Sequence, residues 1–419
     1  MSAELPLLTV AVARLADPKV HLAALGGVIF PLALLVESPI IMLLAASTAL
    51  CRDRSSYRWL RRRMHLMGFV LTLLHVVLAF TPLYDLVADS LLGLPEVIQE
   101  PGRLGLRIMT PWTWAIAYRR FHQGVLIRQG EARTVGLGTA LRLAVNGGVL
   151  LAGCVHGDLP GGALAGTALI GGVVAEAGFV HVRVQPVLQR LVEAEPGLTP
   201  LTPSGFRRFY VPLALTPLMT LLAEPVGAAA MARMPRALDS LAAWPVVFGL
   251  VFQGQALGMA FNEVMVALTG EPGMARALRR FAFGLAVVAT AVLAVFAVFP
   301  FLARLWMESI AGLAPDLARF SWRALWLTLP IPALTVFHSR YQGLLVHSGR
   351  TGGIPESVGL YLLCATLVAF LGVAWGGAAG IFVVCLALGA GCAAQALWLW
   401  YRCRGLLQTG EPGGLFTRL

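Results

Sequence analysis

One half of this chain repeats the other at a fixed offset, and both halves are made of apolar runs. Pro111, Gln123, Gly124, Leu126 and Gly130 recur 219 residues later as Pro330, Gln342, Gly343, Leu345 and Gly349. Pro6/Pro225, Arg14/Arg233, Gly157/Gly376 and Gly161/Gly380 keep the same spacing, and Arg58-x-Leu60-Arg61-Arg62 returns one residue short of it as Arg276-x-Leu278-Arg279-Arg280. Isolated matches mean little in a chain rich in Gly, Leu and Arg. An ordered series with one residue of drift argues for internal duplication. A duplicated polytopic chain is the pattern of a transporter whose substrate site lies between its repeats.

The apolar runs decide the environment. Hydrophobic residues make up 58% of the 419 positions and charged residues 13%, where a soluble domain carries about 25% charged. Twelve spans are expected, near 2–16, 20–48, 64–84, 106–127, 134–155, 161–183, 206–232, 240–268, 279–303, 322–347, 355–375 and 378–401. About 20 apolar residues cross a bilayer core. The formal charge is +11, but the arginines sit in short loops. Arg52, Arg54, Arg58, Arg61, Arg62 and Arg63 fill the loop 52–63, and Arg183, Arg190, Arg207 and Arg208 flank the middle loop. Arg276, Arg279 and Arg280 mark the loop 269–280, and Arg402 and Arg404 follow the last span. The alternate loops hold Asp17, Asp85, Asp89, Glu96, Glu100, Asp158 and Asp316. This is the positive-inside pattern, which orients a membrane protein and excludes nucleic acid as the reason for the charge. The six cysteines are scattered without a CxxC pair, so they read as small packing residues, with no metal or cofactor framework.

The expected fold is therefore all-α: a polytopic membrane protein of two pseudo-symmetric six-helix lobes, 1–197 and 198–419, joined by a Pro- and Glu-rich linker near 184–204. An even number of spans in each half makes the repeats parallel in topology. The first helix is truncated in this reading. Apolar sequence runs from Phe209 to Leu222 ahead of Pro225, whereas only five residues precede Pro6. A further apolar stretch of roughly 15 residues, reckoned at 1.5 Å per residue, is expected upstream.

Ionisable residues within the spans carry the functional expectation, because charge in a bilayer is costly and usually faces a cavity or a partner. The fourth span holds Arg119, Arg120, His122 and Gln123, and the tenth holds His338, Arg340 and Gln342. Facing one another across a central cleft, these would bind an anion, since guanidinium forks match phosphate and carboxylate oxygens. The alternative is that the arginines snorkel to the cytoplasmic surface. Glu37, Glu176, Glu224 and Glu263 are the candidate acids for coupling to a proton or sodium, the alternative being ion pairs to Arg142, Arg120 or Arg340 that serve packing alone. His75 and His181 read as packing or interfacial residues. Pro111 and Pro330 remove helix hydrogen bonds and kink the paired spans. Gly124 and Gly343 permit close helix approach. No P-loop, HExxH or GxSxG motif occurs, so neither direct ATP drive nor enzymatic catalysis is indicated.

Several of these segments resemble a known superfamily. Leu22-Ala-Ala-Leu-Gly26, the Pro-to-Gln-Gly pattern of spans four and ten, and Gly376-Gly-Ala-Ala-Gly380 are similar to the multidrug/oligosaccharidyl-lipid/polysaccharide exporter (MOP) superfamily, which includes the MATE extruders. The pattern Pro332-…-His338-…-Gly343 and the stretch Leu22 to Pro39 most resemble its progressive ankylosis protein branch. The resemblance implies a V-shaped pair of lobes working by alternating access. That branch implies export of pyrophosphate, ATP or citrate-like anions. MATE proteins often carry a coupling Asp in the first helix, where this chain offers Glu4.

The combined expectation is a multi-pass protein of the cytoplasmic (inner) membrane, a secondary active antiporter that exports an organic or phosphorylated anion. A flippase for a lipid-linked glycan, whose diphosphate also calls for a basic site, is the alternative within transport. A transport-inactive membrane scaffold is the alternative outside it.

Overall fold

A computed structural model describes residues 3–157, 159–191, 201–271 and 273–409. Asp158 and residues 192–200 of the expected linker lie outside the described residues. The described chain is helical, with no strand among its residues. The helices are α1 (Glu4–Val12), α2 (Pro18–Leu50, interrupted), α3 (Arg54–Phe80), α4 (Glu96–Ile108), α5 (Thr110–Arg128), α6 (Ala132–His156) and α7 (Gly161–Arg190). They continue as α8 (Pro203–Ala232), α9 (Ala237–Leu268), α10 (Met274–Val298), α11 (Pro315–Thr328), α12 (Pro330–His347), α13 (Gly353–Trp375) and α14 (Gly380–Thr409).

Every expected span falls on one of these helices or on an adjacent pair. Among the described residues nine helices are long and apolar enough to cross a membrane. The exceptions are the nine-residue α1 and the pairs α4/α5 and α11/α12. Those pairs break at Met109 and Leu329, because Pro111 and Pro330 open α5 and α12 where their missing N–H costs least. Each expected kink is a one-residue interruption of the helix. The surface inverts the soluble rule. Phe69, Val70, Leu73 and Leu74 of α3 and Phe281, Phe283, Val287 and Val288 of α10 are exposed. Rows of this size on a soluble monomer would aggregate; here they are the lipid-facing sides of a multi-pass integral membrane protein.

The repeat is written into the backbone as well as the side chains. Left-handed residues stand at Asp17 and Arg236, Gly93 and Gly312, Gly130 and Gly349, and Gly157 and Gly376. Each pair keeps the 219-residue spacing, and only Gly273 among the described left-handed residues lacks a counterpart. The π turns Leu86–Leu91 and Leu305–Ile310 keep it too. Each turn is followed by the same pair of closing bonds, Leu92 N–H to Val87 O and Leu94 N–H to Ala88 O in the first half, Ala311 N–H to Trp306 O and Leu313 N–H to Met307 O in the second.

By internal contacts the chain divides into two units. The first comprises residues 11–225 and the second residues 2–10 with 226–419. This differs from a division at 197/198, because the first turns of α8 pack on the first unit. Phe206 meets Trp59 edge-on at 5.3 Å between ring centroids, and the Tyr210 hydroxyl donates to Pro39 O at 2.6 Å. In the first unit α5 is the central helix, packed on α2, α3 and α7. In the second, α12 takes that place, packed on α9, α10 and α14.

Two basic loops become helix. Residues 54–63 form the first turns of α3 because Asp53 starts it there: Ser56 N–H donates to Asp53 Oδ1 at 2.7 Å, and Asp53 N–H donates to Ser56 Oγ at 3.0 Å. This reciprocal capping box satisfies two orphan donors. In the second unit α10 starts at Met274 behind Gly273, whose φ is 77°. The arginines of both segments therefore stand on helix ends that project beyond the apolar span.

Candidate functional site

The first unit encloses a charged network on α5, α6 and α7. Residues 119, 122 and 123 share one face of α5, since positions three and four apart align on a helix. That face turns inward. Arg119, His122, Gln123, Arg142, Asn146 and Glu176 are all buried. Glu176 on α7 is the hub. Arg119 Nη1 donates to its Oε2 at 2.8 Å, Gln123 Nε2 donates to its Oε1 at 2.9 Å, and Arg142 Nε on α6 stands 3.5 Å from Oε2. Small residues let the helices close around it. A Cβ at Gly138 would meet Glu176 Cγ at 3.3 Å, and one at Gly172 would collide with Asn146 Oδ1. Arg119 Nε and Nη2 and Gln123 Oε1 have no hydrogen-bond partner among the described residues.

A second polar point lies on α2. Trp112 Nε1, on α5, donates to Glu37 Oε2. Glu37 ends the helical run that Pro39 interrupts. Pro39 has no N–H for Leu35 O, and the Ser38 hydroxyl donates to that carbonyl instead, at 2.7 Å. Arg120 is half-buried as a residue, its Nε is shielded from solvent, and its guanidinium feels the charges of Arg119, Glu37, Arg142 and Glu176. His122 is held by its own helix and a neighbour: Nδ1 lies 2.9 Å from Tyr118 O and Nε2 3.3 Å from the Tyr57 hydroxyl. His75 pairs with the Thr113 hydroxyl at 3.1 Å, and His181 meets the Tyr118 hydroxyl at 2.5 Å.

The second unit carries the other predicted residues. His338, Arg340 and Gln342 are half-buried on α12, with the Arg340 guanidinium 5.5 Å from the Tyr341 ring centroid. Glu263 on α9 is exposed. Glu224, on α8, is half-buried and belongs to the first unit. Gly124 and Gly343 sit at close crossings. A Cβ at Gly124 would strike Ser47 Oγ and Leu44 O, and one at Gly343 would strike Met265 Cβ.

Sequence reasoning placed Arg119, Gln123 and Glu176 in separate roles, as anion ligands and coupling acid. The structure joins them in one cluster, where two guanidiniums already neutralise Glu176. It treated Arg142 only as a pairing partner and passed over Asn146 and Trp112. The available signal was the spacing: Arg142 and Asn146 lie four apart in an otherwise apolar span and share a face. Among the described residues no group of three or more His, Cys, Asp or Glu is arranged to hold a metal ion. All six cysteines are free thiols, and between the spans burial pushes the Cys51 thiol up to about 12.

No family model and no curated protein sequence matches the chain. Solved structures do. An inward-facing multidrug resistance MATE family transporter of the MOP superfamily covers 98% of this chain and 96% of its own, at 16% identity and a TM-score of 0.78. The chain has a MATE-like fold. The lipid II flippase MurJ in an inward closed conformation covers 96% of this chain and 86% of its own, at 11% identity and a TM-score of 0.70. A MOP superfamily transporter from Pyrococcus furiosus, described as having a binding pocket of reverse polarity, covers 97% and 95% at 14% identity and a TM-score of 0.61. At these identities the likeness is one of fold. It agrees with the expected all-α, two-lobe MATE-like architecture.

Proposed function

We propose that this MATE-like chain is a secondary active transporter that exports an organic or phosphorylated anion across the cytoplasmic membrane by alternating access. The observation that carries the reading is the pair Arg120 and Arg340. Each is a half-buried arginine on a membrane helix, α5 or α12, that restarts after a proline break. Fixed cations at such positions are costly unless they serve a polar pathway, and their geometry suits carboxylate or phosphate oxygens. His338 and Gln342 on α12 would add donors. Arg119, His122 and Gln123 would act behind Arg120 by holding the α5 face. Glu37 is the coupling acid we favour over Glu176, because Glu176 is already held between Arg119 and Arg142. Glu224 and Glu263 are further candidates, with a proton or sodium as the coupling ion.

The test is transport by reconstituted vesicles, comparing pyrophosphate, citrate and a cationic dye. The expected result is anion movement without dye movement, reduced about tenfold by Arg120→Gln or Arg340→Gln, the loss of one charge-assisted contact. Unimpaired anion transport by the folded double variant overturns the assignment. The likeness to a lipid II flippase supports a second reading, in which Arg120 or Arg340 meets the diphosphate of a lipid-linked glycan. Translocation of a fluorescent polyprenyl-diphosphate sugar, with no flux of free anions, would favour it.

A further inference from the structure

The turn between α12 and α13 and the end of α14 border an open surface cavity of about 400 Å³ that the transport reading does not use. Arg350, Arg402 and Arg404 line it, together with Tyr401 and the backbone of Gly352. Local geometry builds each wall. Gly349 takes a φ of 71°, and Arg350 N–H then closes on Leu345 O at 2.9 Å, which presents Arg350 to the cavity. A Cβ at Gly353 would stand 3.1 Å from Arg402 Nε, so glycine lets the first turn of α13 lie on that guanidinium. Glu356 holds Arg402, with Arg402 Nη2 and Nε each 3.4 Å from a carboxylate oxygen, and accepts from Trp398 Nε1 at 3.1 Å. The Arg404 guanidinium stacks 4.2 Å from the Tyr401 ring centroid.

The charge here is unbalanced. Glu356 pairs with Arg402, and no carboxylate pairs with Arg350 or Arg404 among the described residues. The cavity also reaches Gly352 at the N-terminal end of the 23-residue α13, where the helix dipole favours an anion. Planar guanidinium forks and a helix N-terminus together suit the oxygens of a phosphate group. The level of the site in the bilayer points to the source. Beside the cavity α14 exposes Trp400 and Tyr401, and exposed Trp and Tyr of this kind mark the membrane–water interface. The repeat argues that the site is particular to this unit. The positions 219 residues before Arg350, Arg402 and Arg404 are Glu131, Arg183 and Gln185, so a general cytoplasmic bias toward Arg does not account for it.

We propose that this cavity binds a phosphate group, that of an anionic phospholipid head at the surface of the bilayer. The site is independent of the transported substrate. The test is thermal unfolding of the full chain in neutral detergent with phosphatidylglycerol, phosphatidylcholine or inorganic phosphate added, for the wild type, Arg350→Gln/Arg404→Gln and Arg183→Gln. Phosphatidylglycerol should raise the wild-type midpoint on the order of 3–5 °C, with phosphatidylcholine ineffective. The double variant should lose most of that rise and Arg183→Gln should keep it. A rise given equally by inorganic phosphate supports the phosphate site and makes its source soluble. The proposal falls if neither phosphatidylglycerol nor phosphate shifts the wild type, or if the double variant responds as the wild type does.

Discussion

The interior of the first unit and that of the second differ where their backbones agree. Glu176, Arg119 and Arg142 form an ion cluster around α5, while the positions 219 residues later hold Gln395, His338 and Tyr361. Gln123 keeps its identity as Gln342, but Asn146 becomes Ala365. The helices that carry these residues begin and end at matching positions, and the same left-handed turns join them. Turn chemistry and small-residue crossings thus reproduce the architecture without the buried charges. The charges are consequently not a requirement of the fold. They are a property of one unit, and a buried ion cluster of this kind costs desolvation that only good mutual pairing offsets.

The largest expected effect separates the units directly. Glu176→Gln gives the first unit the residue of the second and strands two buried guanidiniums. Removing one partner of a buried pair typically costs about 3–5 kcal/mol, so the variant should melt well below the wild type. Adding Arg119→His and Arg142→Tyr completes the exchange and should restore much of the loss. A single Glu176→Gln variant as stable as the wild type would show that the cluster contributes nothing and would dissolve the contrast.

A smaller effect concerns the two matched crossings. Gly124→Ala drives a methyl into Leu44 O and Ser47 Oγ, and Gly343→Ala drives one into Met265 Cβ. Overpacking costs about 1–3 kcal/mol. Gly124→Ala should be the worse of the two, because a backbone carbonyl yields less than a side chain. Urea or heat denaturation in detergent of both variants would decide the order, and the reverse order would break the explanation by backbone contact.

The smallest effect sharpens the contrast in helix starts. Asp53→Ala removes the capping box of α3 and should cost about 1 kcal/mol. No such side-chain cap stands at the start of α10, where Gly273 does the work through its left-handed φ. Gly273→Ala should cost about 1–2 kcal/mol through backbone strain. Hydrogen exchange at the first turns of α3 and α10 would resolve these changes. Unchanged protection in Asp53→Ala would show that lipid and packing, not the cap, hold that end.

What was legible from residues alone followed from periodicity and composition. Apolar runs near 20 residues place helices in a bilayer because an unsatisfied backbone cannot sit in lipid, and the 219-residue spacing pairs Pro111 with Pro330 and Gly157 with Gly376 without any coordinates. Helix ends were less legible. Asp53 and Ser56 carry α3 through a run of arginines that composition assigns to a loop, and a reciprocal cap outweighs charge density there. The partners of the buried charges were decided only by the tertiary structure. For the acids Glu37, Glu176, Glu224 and Glu263 the chain offered Arg142, Arg120 and Arg340 as pairing partners without assigning one to each. Which guanidiniums meet Glu176 depends on how α5, α6 and α7 rotate about their axes. That rotation is set by the small residues at their crossings, Gly138 and Gly172 among them, whose effect appears only once the helices are in contact.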